Sequence, residues 1–149
     1  IRDSLCEEAY GHFSGGQKDS VFFEDFPRQN PSWQNLPLRQ NFEILFQLRS
    51  QVAKQLEEAR NGKIIGSSLE AGIQLGLPPK YLQALKSLKE SEQKEFFIVS
   101  HIEAKEAEEI HVQVQKAPGE KCPRCWNYAT LETTAEFGAI CPKCKEALA

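Results

Sequence analysis

Four cysteines near one end constrain this chain more than any other feature. Cys122, Cys125, Cys141 and Cys144 form C-x2-C-x15-C-x2-C, a spacing expected of a four-thiolate zinc site. Two residues between cysteines let a tight turn aim both sulfurs at one metal about 2.3 Å away, and two such turns complete a tetrahedron. Disulfide pairing is the alternative, and it is weaker, because two short-range bridges would leave the fifteen residues between the turns unstapled. The odd Cys6 and the lack of a secretory pattern also favour a reducing compartment. Iron held by four thiolates would use the same turns and stays open. With four protein ligands no coordination position is left for chemistry, so the site is structural.

The two turns are near copies, Cys122-Pro123-Arg124-Cys125 and Cys141-Pro142-Lys143-Cys144. Amides two and three residues on are expected to donate to the first sulfur, so proline in the next position loses no needed donor and fixes φ. Each turn carries a cation in its third position. Zinc with four thiolates has a formal charge of about −2, which Arg124 and Lys143 would compensate; contact with phosphate is equally open to them.

The rest of the chain supplies context. A length of 149 residues with 40% hydrophobic content fits one medium domain or two small ones. No apolar run reaches the ~20 residues of a membrane span. Methionine is absent, which suggests a piece of a longer protein. Residues 1–13 read as helix, with Leu5, Ala9 and Phe13 at spacing four and a break at Gly15-Gly16; Cys6 is expected to be a small buried hydrophobe of that helix. From Leu38, apolar residues recur at three and four through Phe42, Leu45, Leu48, Val52, Leu56 and Ala59, a helix of about seven turns stopped by Asn61-Gly62. Arg49 and Arg60 lie eleven residues apart, nearly in line on its outer side; solvent exposure alone would also account for them. Residues 63–75 suggest a strand, Pro78 opens a short helix, Phe96 to Val99 read as a buried strand, and Ile110, Val112 and Val114 alternate as another. The charged stretch 103–109 between them reads as a solvated loop. Strand, helix, strand, strand makes a small α+β unit ahead of the cysteine module.

Net charge is −3 but uneven: six acids oppose Arg2 and Lys18 in residues 1–27, while six cations oppose three glutamates in 28–63. Such segregation can steer an anionic partner, although solvated helix faces look the same. Catalytic chemistry is not visible. Gly62-Lys63 and Gly66-Ser67 evoke a phosphate loop without its full pattern, and His12, His101 and His111 sit in no nucleophile or metal arrangement.

Four segments carry a family resemblance. The string Lys121-Cys-Pro-Arg-Cys-Trp126-Asn-Tyr128, followed by Cys141-Pro-Lys-Cys144, is similar to the C-terminal zinc finger of bacterial-type isoleucyl-tRNA synthetases, bacterial or organellar. Residues 60–71 resemble the segment after the anticodon-binding helices of those enzymes. Phe97-Ile-Val-Ser100 is similar to a strand of that region, and Leu5-Cys-Glu-Glu-Ala9 to the end of the helical bundle. The resemblance implies an α+β chain in three parts: the end of a helical anticodon-binding domain at 1–62, a small α/β junction at 63–116, and a zinc ribbon at 117–149. It further implies a class I ligase that joins isoleucine to its tRNA using ATP and Mg2+ in a catalytic domain absent here, since the HIGH and KMSKS signatures are missing. This part would hold the anticodon arm, with no membrane contact, in a cytoplasmic or organellar monomer.

On that reading Lys121, Arg124, Trp126, Lys143, Arg49 and Arg60 would touch tRNA. Trp126 directly follows a ligand cysteine, where its ring can stack on an unpaired base or pack over the zinc turn. Formamidopyrimidine-type DNA glycosylases carry a similar finger, but their N-terminal proline nucleophile and helix–two-turn–helix element are not seen. A protein-binding zinc ribbon adaptor is the other alternative.

Overall fold

The computed structural model describes residues 2–13 and 18–148, and the expected break at Gly15-Gly16 lies outside them. The chain divides into two compact units, 1–35 and 36–149. In the first, α1 (Arg2–Gly11) is followed by two single 3₁₀ turns, Val21–Phe23 and Pro31–Trp33. Each turn is opened by a side-chain cap: Ser20 Oγ accepts from the Phe22 amide and Asn30 Oδ1 from the Ser32 amide. Cys6 is exposed, as are Leu5 and Phe13, which corrects the expectation of a buried Cys6: the short turns leave the apolar stripe of α1 uncovered.

The second unit begins with α2 (Leu36–Asn61), in which Pro37 occupies the first turn, where a missing N–H costs nothing. Leu45, Leu48, Val52, Leu56 and Ala59 are its buried stripe. The helix stops in a Schellman arrangement. The Ile64 amide reaches the Ala59 carbonyl and the Lys63 amide reaches that of Arg60. The left-handed residue is Lys63, φ 56°, one position past the expected glycine.

Three strands form a sheet ordered β2-β1-β3. The central β1 (Ala71–Leu77) runs parallel to β2 (His101–Glu106) and antiparallel to β3 (His111–Lys116). It is buried on both faces, as its Ile73, Leu75 and Leu77 require. Strand pairing starts only at Ala71; residues 68–70 form a 3₁₀ turn, so the strand expected from residue 63 begins later. Between β1 and β2 lie α3 (Pro79–Lys86) and α4 (Glu90–Phe97).

Two expectations fail here. The apolar run at Phe96 to Val99, and the matching strand of the resemblance, is the end of α4, closed by Ile98 in the left-handed region. A capping box in which the Lys89 amide donates to Glu92, and a Glu90–Lys94 pair one turn apart, start that helix. A four-residue apolar run has no period of its own, and these polar signals decide it. The charged stretch read as a solvated loop is largely β2, aligned by backbone pairing to β1 rather than by burial. Only Ile102 in it is buried.

One core holds α2, α3, α4 and the sheet together, from Leu45 to Ile102. Leu48, Val52 and Leu56, before the boundary expected at residue 62, share this core with Ile73 and Leu75 beyond it. A second cluster, of Cys122, Ile140, Cys141 and Cys144, stands apart within residues 117–149. Among the described residues no helix is long and apolar enough to cross a membrane. The architecture is a mixture of helix and sheet ending in a four-cysteine cluster consistent with a zinc ribbon.

Candidate metal centre

Two short hairpins carry the cysteines. The first pairs β4 (Glu120–Lys121) with β5 (Tyr128–Ala129), and the second pairs β6 (Glu132–Thr134) with β7 (Gly138–Ile140). Cys122 and Cys125 lie in the turn of the first. Cys141 follows β7, and Cys144 sits on α5 (Pro142–Glu146), whose first position is Pro142.

All four sulfurs lie within 4.8 Å of one another. Cys122 Sγ is 3.9 Å from Cys144 Sγ, and Cys125 Sγ is 3.5 Å from Cys141 Sγ. Thiolates about 2.3 Å from a shared zinc sit at the corners of a tetrahedron with edges of about 3.8 Å, so both distances match. A disulfide needs about 2.05 Å, and the five cysteines are free thiols. The residues present therefore fit one four-coordinate zinc ion.

Backbone amides prepare the sulfurs. Burial alone would push the Cys122 thiol up, but amides of Cys125, Cys141 and Arg124 donate to it and bring it down to about 6. The Cys125 thiol is also lowered; burial opposes this, and the amide and side chain of Asn127 outweigh it. Burial and the neighbouring sulfurs push Cys141 up to about 12, because crowded thiols resist a second ionisation. A bound dication reverses that resistance by deprotonating its ligands. The expected donors two and three residues past Cys122 are thus present.

Glycine is demanded at one place in this module. Gly119 has φ +91°, and a Cβ there would meet the Ala129 carbonyl carbon and oxygen at 2.5 Å. Gly138 has φ +69° with open space around the same position. Gly119→Ala is expected to destabilise the finger by about 2–3 kcal/mol and Gly138→Ala by about 1 kcal/mol, since both strain φ but only the first clashes with backbone. Zinc competition with a chromogenic chelator orders the two variants.

The first turn also carries the residues singled out for RNA. Trp126 lies in the left-handed region, φ 66°, where a bulky side chain is an outlier; the residue is 62% exposed. Lys121 Nζ lies 5.5 Å from the ring centroid, a cation–π contact. Arg124 is exposed. Lys143 instead pairs with Glu95 on α4, and that carboxylate holds its ammonium pKa above the usual lysine range. Arg49 and Arg60 line one groove of about 290 Å³ with Val52, Leu56 and Ile98. Arg49 caps the Phe96 ring at 5.3 Å, and Arg60 binds Glu57 and the Ser68 hydroxyl. A cleft of about 610 Å³ between α4 and the finger is also lined by Ile98, so this residue borders both hollows. Sequence reasoning gave no role to Ser100 and Asn127, which line this cleft, although both lie in strings that carry the resemblance.

Comparison with known proteins agrees with this geometry. Residues 119–146 match the zinc finger found in FPG and IleRS, which decides for zinc over iron. The chain is 35% identical over 95% of its length to an isoleucine–tRNA ligase of Natranaerobius thermophilus, covering 17% of that protein. It is 35% identical over 93% of its length to one of Syntrophotalea carbinolica, and 35% over 97% to one of Thermotoga petrophila, covering 16% and 17% of those proteins. The chain thus spans about a sixth of the length of the relatives it matches. Along nearly all of its own length it is similar to part of the bacterial isoleucine–tRNA ligases, and its finger is of the kind found in them.

Proposed function

We propose that this chain is the tRNA-binding C-terminal part of an isoleucine–tRNA ligase and that it holds the anticodon arm. The observation that carries the reading is the exposed Trp126 on the first cysteine turn, in a chain similar along nearly all of its length to ligases of that name. An indole fixed in a strained backbone position and left open to solvent is a platform for an unpaired base. Lys121, drawn over the ring, and Arg124 beside it supply cations at the platform's rim. The finger from residue 116 onward has five cations against four glutamates before zinc is counted, so general attraction to phosphate cannot be its main contribution. Stacking and a few placed cations must do more.

Arg49 and Arg60 form a second contact zone. Eleven residues along a helix separate them by about 16 Å, enough to bridge two or three phosphates of a single strand. Lys143 reaches RNA only by leaving Glu95. The whole protein would join isoleucine to tRNA with ATP and Mg2+ in parts outside this chain, as a monomer, and the zinc would do no chemistry.

Trp126→Ala is expected to weaken binding of the isoleucine tRNA by about 1–3 kcal/mol, the worth of one stacked base, with one zinc retained per chain. Filter binding and metal analysis together check this. Unchanged affinity sinks the role of Trp126, and equal affinity for matched and mismatched tRNA favours the protein-binding adaptor.

A further inference from the structure

Ser100 is the one buried polar residue among the described residues, 8% exposed. It sits where the chain leaves α4 to enter β2, and its own amide donates to the Ala71 carbonyl. Its hydroxyl does two things at once. It donates to the Leu69 carbonyl at 2.6 Å and accepts from the Tyr128 amide at 2.7 Å. Leu69 belongs to the turn that leads into β1, and Tyr128 to the finger's first hairpin. A hydroxyl has one proton to give. Asn127 Oδ1 also lies near it, at 3.5 Å, but the shorter, well-formed contact to Leu69 takes the proton.

Asn127 connects this point to the metal centre, because its side-chain amide donates to Cys125 Sγ at 3.5 Å. The other tie across the cleft, Lys143 to Glu95, joins two exposed side chains and contributes little in water. The buried hydroxyl is therefore the stronger hold on the finger. It also lies two residues along the chain from Trp126, through Tyr128.

We infer that Ser100 is a positioning residue: its hydroxyl latches the zinc finger onto the sheet unit and so fixes the attitude in which Trp126 and Arg124 are presented. The latch is a property of the fold, and its effect on RNA rests on the tRNA-binding reading above. Without it the finger stays folded around its metal but turns on the chain after Ala117, whose own amide remains held by the Glu70 carbonyl.

Three substitutions in the 149-residue chain test this. Ser100→Ala removes the hydroxyl, while Ser100→Thr and Ser100→Val form a matched pair that differs only in having it. The readouts are zinc content, 15N relaxation of finger amides against those of α2, exchange of the Tyr128 amide, and tRNA affinity. In the Ala and Val variants one zinc should remain per chain, finger amides should report a shorter correlation time than α2, and Tyr128 should exchange at least tenfold faster. Affinity for the isoleucine tRNA should drop by about tenfold. The Thr variant should restore all of these. Should the finger of the Ala and Val variants tumble with α2 as in the parent chain, the latch is wrong. Decoupling with unchanged affinity overturns the positioning role. If the parent chain itself binds no tRNA, the tRNA-binding reading fails and the relaxation data alone decide the latch.

Discussion

Stripping zinc with a chelator is expected to unfold residues 117–149 while α2 and the three-stranded sheet stay folded. The finger's cluster has four buried members, and three of them are ligand cysteines; only Ile140 is an ordinary core residue, with Ala129 and Leu131 partly covering it. No apolar core remains to hold this module once the metal is gone, whereas structural zinc bound by thiolates contributes roughly 10–16 kcal/mol in small fingers. The larger core contains no ligand and is complete without the finger. Hydrogen exchange is the direct measurement: amides of 119–146 should lose protection, and those of Ile73 and Leu75 should keep it. Far-ultraviolet helical signal should barely change, because α5 has five residues and α2 has 26. Global loss of that signal would show that the two clusters fold as one.

Leu48→Ala carries the second large effect. Leu48 is 0% exposed at the middle of α2, within the core shared with β1, α3 and α4. Truncating a buried leucine removes its transfer free energy and leaves a cavity, costing about 2–5 kcal/mol. Since the helix and the sheet bury their apolar faces against each other, both should melt together, at a lower urea midpoint and with an unchanged slope. Leu36→Ala, at a position 65% exposed, should stay within about 0.5 kcal/mol. Separate transitions for helix and sheet in the Leu48 variant would support a domain division after residue 62.

What the sequence made legible follows from how local each signal is. The metal site was readable from spacing because two C-x2-C turns are short-range devices whose geometry depends on few neighbours. The α2 stripe was readable because seven apolar positions repeat one period. Phe96 to Val99 was misread because four residues cannot establish a period, and the decisive partners, Glu92 and Lys89, are a capping signal seven residues upstream. The strand at His101–Glu106 was hidden for the opposite reason: its alignment comes from hydrogen bonds to β1, which leave no mark in side-chain polarity. Ser100 was invisible because both its partners, Leu69 and Tyr128, are backbone groups about thirty residues away in either direction.

That misread strand has a further consequence. As the outermost member of its sheet, β2 presents a row of backbone groups that another copy of the chain could pair with. Its exposed positions are Glu103, Ala104, Lys105 and Glu106, followed by Glu108 and Glu109. A second molecule approaching that rim would bring four glutamates, opposed only by Lys105, against their own copies and would have to desolvate them. The acidic run is therefore a guard against edge-to-edge aggregation.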